Sequence, residues 1–212
     1  MGKKKSKNGN EGNKEDLEID NDFSQYIREI AQQVMYTELD DENRVAIINN
    51  FEIPENKESI LAQHTLGSQV LDKLIGFSTP ENFEKYTSCL KDLRKLILNT
   101  NSSFVLESCI KIATIRALAN ENVAKKEDDS EPESKKKKYS KKSTDVDYNL
   151  LQDFKPSHIE YCNQFVLRLS KFALNNIEDL LTTQGSHFIR TCVLCLSGIV
   201  CYKLHDKSPV NQ

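Results

Sequence analysis

The sequence has no tryptophan, only seven glycines and only five prolines in 212 residues. So few chain-reversing residues exclude an all-β fold built on many tight turns. No GxGxxG or Walker-type run occurs, so a glycine-rich phosphate cradle is excluded as well. Long hydrophobic runs are also missing. The longest nearly uncharged apolar stretch, Cys192 to Tyr202, is too short to cross a bilayer, which predicts a soluble protein with no membrane partner. The lysine-rich N-terminus lacks the apolar stretch of a secretory signal. The six cysteines, at 89, 109, 162, 192, 195 and 201, fall inside apolar periodic segments. Together these features predict free thiols in a reducing compartment, cytosol or nucleus.

What is there is unevenly distributed. The hydrophobic fraction is 38% and the charged fraction 29%, the mark of a globular part diluted by polar segments. Net charge is −3, of which Met1 to Lys14 hold +4 and Glu121 to Thr144 hold +2, leaving −9 for the rest. A polyanionic partner would therefore meet positive charge first on the tails. Composition divides the chain into a disordered basic tail over 1–21, helical segments over 22–120, and a disordered Lys/Glu-rich insert over 121–148. A further helical part over 149–204 and a short tail over 205–212 complete it.

The hydrophobic spacing is helical almost throughout. Phe23, Tyr26, Ile27, Ile30, Ala31 and Val34 recur at steps of three and four, and Asp40 stands where a helix cap belongs before Asp41 to Asn49. Short helices are predicted over Ser59 to His64 and Gly67 to Phe77. From Pro80 the same spacing runs on through Phe83, Tyr86, Leu90, Leu93, Leu96 and Ile97. Ile159 to Phe172, Ile177 to Leu181 and Ser186 to Leu196 repeat it after the insert. No segment alternates with period two long enough to make a strand, so the predicted fold class is all-α.

Self-comparison finds three segments of one form: Ser68 to Ile75, Ser103 to Ile110 and Ser186 to Val193. Each reads serine, a variable residue, two apolar residues, one charged residue, two variable residues and one apolar residue. Each follows a short helix and a turn carrying Gly67, Asn101 or Gly185. The first interval is 35 residues; the second is 83, the extra length being absorbed by the insert and its flanks. On a helix the first and fifth positions share one face while the third, fourth and eighth turn inward. Stacked units of this kind line up polar pairs at regular spacing, which can follow an extended polymer.

At these residues the sequence resembles the pumilio (PUF) repeat family, and Gly185 to Gly198 is most similar to its divergent nucleolar branch. The resemblance implies a right-handed helical-repeat solenoid, pumilio- or armadillo-like, with about three visible repeats. It further implies RNA read by two or three side chains per unit. By that resemblance Ser103 and Glu107 are edge readers, with Glu107 suited to the two donors of guanine, and Phe104 is a base stacker. Ser186 and Arg190 form the donor-rich counterpart, with His187 stacking. Ser68, Gln69 and Asp72 occupy the same places but depart from the family's usual residues. A register shifted by one residue would exchange Phe104 and Phe188 in role. The implied partners are single-stranded or precursor ribosomal RNA of the small subunit and pre-ribosomal proteins, and the implied location is the nucleolus. Relative to the family's longer arrays this chain is similar to an N-terminal portion, and a chain ending at Gln212 would leave an apolar face uncapped on the helix from Thr191 to Lys203.

Lys135, Lys136, Lys137, Lys138, Lys141 and Lys142 place six lysines in eight positions, a run suited to a nuclear import receptor. Cys192 and Cys195 form a CxxC, but structural zinc takes four ligands and no second pair exists, so buried free cysteines are expected and no metal. The four histidines lie apart from any nucleophile or carboxylate arrangement. The expectation is a binding protein, not an enzyme, with no cofactor. The competing reading is an armadillo- or HEAT-like protein-interaction scaffold, whose periodicity is the same and whose acidic body would suit a basic protein partner. The two differ in whether Ser103, Phe104, Glu107, Ser186 and Arg190 share one exposed surface.

Overall fold

The computed structural model describes residues 21–54, 57–127 and 154–199, with side chains described except over 119–127. Among the described residues every regular element is helical, as the spacing predicts. The elements are α1 (Asn21–Tyr36), α2 (Asp41–Asn49), α3 (Glu58–Gln63), α4 (Thr65–Leu74), α5 (Pro80–Ser88), α6 (Leu93–Leu98), α7 (Thr100–Glu127), α8 (Pro156–Asn175), α9 (Ile177–Leu180) and α10 (Thr183–Leu196). A 3₁₀ turn, Ile75–Phe77, follows α4. The basic tail over 1–20, the lysine run at 135–142 and the tail beyond 199 lie outside the described residues.

Local chemistry sets the helix starts. Asp40 accepts the Asn43 N–H at 2.8 Å, Thr79 the Asn82 N–H at 3.3 Å and Asp92 the Lys95 N–H at 3.1 Å. Each such cap contributes about 1 kcal/mol. Pro80 sits in the first turn of α5, where its missing N–H costs nothing. The spacing from Phe83 to Ile97 proves to be two helices. Leu90 and Leu93 both turn inward while the chain bends between them, so apolar periodicity carries across a turn that the Asp92 cap converts into a new helix. The composition boundary at 121 is also passed, for α7 continues to Glu127.

The core is one cluster gathered around α7. Helices α4, α7 and α10 lie side by side in that order, and α8 packs across α7 and α10. The short α3, α6 and α9 form a second row, each packed against the long helix that follows it. Helix α1 covers α4, burying Phe23, Ile27, Ala31 and Val34 from one face. Phe83, Phe188, Leu71, Leu106, Ile110 and Leu169 are wholly enclosed. Truncating any of these to alanine would remove about 2–5 kcal/mol.

One buried cation ties the rows together. Arg116 of α7 donates to the carbonyl oxygens of Ser78 at 2.6 Å and Gly76 at 3.3 Å, closing the turn after α4. Its guanidinium lies 4.7 Å from the Phe83 ring centroid and 5.3 Å from that of Phe154, and Nη1 donates to His158 Nε2 at 3.4 Å. His158 Nδ1–H in turn donates to Glu84 Oε1 at 2.6 Å, joining α8 to α5. A point ammonium could not serve two carbonyls and two ring faces at once. Arg116→Ala should therefore lower the unfolding free energy by about 3 kcal/mol, from unsatisfied carbonyls and lost ring contacts. Urea unfolding of both proteins measures this, and a loss below about 1 kcal/mol would remove the clamp from the account.

Candidate functional site

The three segments found by self-comparison occupy equivalent places on α4, α7 and α10, and the bonds around them recur. Three residues before each small residue stands a cap. His64 Nδ1 accepts from Gly67 N–H at 3.2 Å, Asn99 Oδ1 from Ser102 N–H at 3.1 Å, and Thr182 Oγ1 from Gly185 N–H at 3.2 Å. The residue of Gly67 and Gly185 type in the middle unit is thus Ser102, not Asn101 as the sequence comparison placed it.

The small residue is required by a close approach. A Cβ on Gly67 would lie 2.5 Å from the Leu61 carbonyl oxygen, and one on Gly185 would lie 2.1 Å from that of Leu180. In the middle unit Ser102 donates its hydroxyl to the equivalent Leu96 carbonyl at 2.7 Å.

Two side-chain bonds recur between neighbouring helices. Asn101 Nδ2 donates to Thr65 Oγ1 at 3.5 Å, and Gln184 Nε2 donates to Thr100 Oγ1 at 3.2 Å, from the same position to the same position of the preceding unit. Farther along, the Ser108 hydroxyl donates to Asp72 Oδ1, and the Thr191 hydroxyl donates to Glu107 Oε2 at 2.7 Å. In both cases the fifth residue of one unit receives the sixth residue of the next.

That arrangement decides what the expected site residues can touch. Ser68 and Ser103 are buried, and each turns its hydroxyl back to its own helix, to the carbonyls of Thr65 and Thr100 at 3.0 Å. Glu107, 9% exposed, spends one oxygen on Thr191 and faces Lys111 Nζ at 3.8 Å. Asp72 is exposed but already accepts Ser108. The physical cause is position: α7 is flanked on both sides, so the faces that would read an edge there close against neighbours. Gln69, Phe104 and His187, the second residues of the three units, all face outward, as do Ser186 and Arg190. Phe104 is 59% exposed while Phe188 is wholly buried, so the register places Phe104 outside. Arg190 Nη2 donates to His187 Nδ1 at 3.2 Å.

A shallow depression of about 300 Å³ continues this strip between α7 and α10, with Lys111, Arg190 and Leu194 on its walls. The caps and the amide-to-threonine bonds were the features sequence reading missed. Their signal was present as a cap, two residues and a small residue at 64–67, 99–102 and 182–185.

Cys192 and Cys195 are buried without a disulfide, and no cluster of metal-ligating side chains occurs among the described residues. Burial pushes the Cys192 thiol up to about 12. Cys162, His158 and Glu84 lie in the order of a nucleophile, base and carboxylate, with Sγ 3.5 Å from Nε2. Burial raises the Cys162 thiol to about 12, and the residue is fully enclosed. No helix among the described residues is long and apolar enough to cross a membrane. No family model, no curated protein and no solved structure matches the chain.

Two outcomes are expected. Gly185→Ala should cost about 1–3 kcal/mol, because the intruding Cβ meets backbone; chemical denaturation reads it, and an unchanged midpoint would refute the close approach. His64 and His158 both have their pKa lowered from 6.5, first by burial, then for His64 by Arg28. For His158, Arg116 acts with burial, while the bond to Glu84 opposes them. The unfolded chain therefore binds protons that the folded chain refuses, so stability held above pH 6.5 is lost as pH falls through the depressed folded values. His64→Asn supplies the acceptor that Asn99 supplies in the next unit. It should flatten part of the slope of stability against pH, and an identical slope would show that His64 contributes none of it.

Proposed function

We propose that this chain is an RNA-binding protein of pumilio-like, right-handed helical-repeat type, with α4, α7 and α10 as its units and no chemistry of its own. The observation that carries the reading is the outward line of Gln69, Phe104 and His187 on three helices held in one recurring register. Each aromatic face on such a line stacks a base for about 1–3 kcal/mol and tolerates any base. Arg190 and Lys111 stand on the walls of the depression that continues the strip, within reach of the phosphates of a strand lying along it.

The bonds to Asp72 and Glu107 argue for stacking and charge over a code of one base per unit, since a carboxylate already engaged cannot read an edge without losing its partner. In keeping with the family resemblance, the RNA is single-stranded precursor ribosomal RNA of the small subunit. Pre-ribosomal proteins are further partners, and the protein acts in the nucleolus. The run Lys135 to Lys142 serves an import receptor on this reading.

A second reading, the armadillo- or HEAT-like scaffold for a basic protein, is favoured by one observation. Ser103 and Glu107, at 3% and 9% exposure, are withdrawn from the surface an RNA reader would present.

Equilibrium binding of the full chain to short single-stranded RNAs at two salt concentrations separates the two. Phe104→Ala should weaken binding about 5- to 100-fold, in line with one lost stack. Replacing the six lysines of 135–142 by glutamine should reduce the salt dependence and leave the effect of Phe104→Ala in place. Binding that disappears with the lysines and ignores Phe104 would overturn the RNA strip and leave the scaffold.

A further inference from the structure

The two interfaces of the row, α4 with α7 and α7 with α10, are built alike. In each, the first, fifth and eighth residues of the earlier unit share one stripe, being four and seven apart on a helix. That stripe faces the following unit, because its fifth residue is the one bonded across: Asp72 to Ser108, and Glu107 to Thr191. Its other two residues are enclosed, Ser68 and Ile75 in the first unit, Ser103 and Ile110 in the second. In the third unit the same stripe is Ser186, Arg190 and Val193, and all three are exposed. Val193 is 60% exposed, against 1% for Ile75 and 0% for Ile110. Leu196, three residues on, is 55% exposed, and Thr183, the counterpart of Thr65 and Thr100, is open as well.

The face turned to the preceding unit recurs too. On α7 it is Asn101, Val105, Ser108 and Ile112, and on α10 it is Gln184, Phe188, Thr191 and Cys195. Each set is an amide, an apolar residue four on, a hydroxyl seven on and an apolar residue eleven on. The amide donates to the threonine of the unit before and the hydroxyl to its acid. Only one position breaks the series at the open end: the fifth residue of the third unit is Arg190, where the first two have Asp72 and Glu107.

We propose that the open face of α10 docks a helix of a partner polypeptide in this same offset, one that carries an amide, an apolar residue four on, a carboxylate seven on and an apolar residue eleven on. The amide answers the Thr183 hydroxyl, and the apolar residues cover Val193 and its surroundings. The carboxylate follows from Arg190. A guanidinium only donates, so the hydroxyl donor of the two earlier interfaces gives way to an acceptor, and a carboxylate also offsets the charge as the face closes. The bond from Arg190 to His187 uses one of its five N–H groups and leaves the fork to a partner. The occupant is not this chain. No stretch of its sequence places an amide, an apolar residue, an acid and an apolar residue at that spacing. A second copy fits no better, because its stripes on α7 and α10 are spent on its own α4 and α7.

The test is a titration of the full chain, methyl-labelled at valine and leucine, with a capped peptide of residues 92–117 of this sequence under reducing conditions. That peptide spans α6 and the first part of α7, and it is prepared with Ser108→Glu and with Ser108→Lys. The Ser108→Glu peptide is expected to shift the Val193 and Leu196 methyl signals saturably, and the Ser108→Lys peptide to bind about tenfold more weakly. Arg190→Glu in the full chain, a change at an exposed position, should invert that order. Asn101→Ala in the peptide should weaken binding severalfold, and Thr183→Val in the full chain should remove that difference. No saturable shift, equal binding of the two peptides, or an order that Arg190→Glu leaves unchanged would each overturn the proposal. Sedimentation of the chain alone as a dimer that Val193→Asp dissociates would overturn it as well and give the face to a second copy. Arg190 also lines the strip, so RNA is left out of the titration, and the result stands whichever way RNA binding falls.

Discussion

Helix α7 is enclosed on both sides, by α4 on one and α10 on the other, and almost everything else about the molecule follows from that constraint. A helix with one neighbour can turn most of its polar residues to water; a helix with two has only a narrow strip left for that. The polar residues of α7 must then be satisfied by protein groups, and Ser102, Ser103, Glu107, Ser108 and Thr114 are all buried. Four of them bond to protein atoms through backbone carbonyls or through partners on α4 and α10, and Glu107 accepts from Thr191 and faces Lys111. Buried polar groups that are fully partnered specify register more than they add stability. Here they hold two neighbouring interfaces to the same offset.

The same residues were candidates for meeting a ligand, and the two uses compete. A carboxylate that accepts a hydroxyl from the adjoining helix is poor at reading a base, because the new contact must exceed the one given up. Residues one step removed from the interface escape that competition. Phe104 and His187 are exposed, and on the proposed reading they are the groups a strand of any sequence would touch. Specificity on such a surface comes from shape, spacing and charge more than from hydrogen-bond patterns.

The helices themselves were legible in the sequence because their spacing is strict: α1 buries Phe23, Ile27, Ala31 and Val34 as the steps of three and four require. The equivalence of Ser68, Ser103 and Ser186 was legible for the same reason. What apolar spacing could not give was which polar positions close between helices, since a serine or glutamate on a helix has the same pattern whether it faces water or a neighbour. Nor could it separate α5 from α6, where Leu90 and Leu93 keep the rhythm across a bend. The concavity of about 630 Å³ walled by Phe51, Ile53, Leu71 and Ile75 had no sequence signal. Its walls come from residues as far apart as Ile48 and Tyr86, brought together only by the packing of α2, α4 and α5.

The sulfur atoms carry a last consequence. Cys109, Cys162 and Cys192 are enclosed, and burial holds their thiols far above neutrality, the last two at about 12. While enclosed, such a thiol stays protonated at neutral pH and is not the reactive thiolate. Cys89, partly open to solvent, is the reference beside them. Among the described cysteines the chain thus contains its own clock for breathing: an alkylating reagent reaches Cys89 from the surface, and Cys109, Cys162 and Cys192 only when α7, α8 or α10 lifts from the core. The order in which they are modified ranks the helices by how readily each detaches.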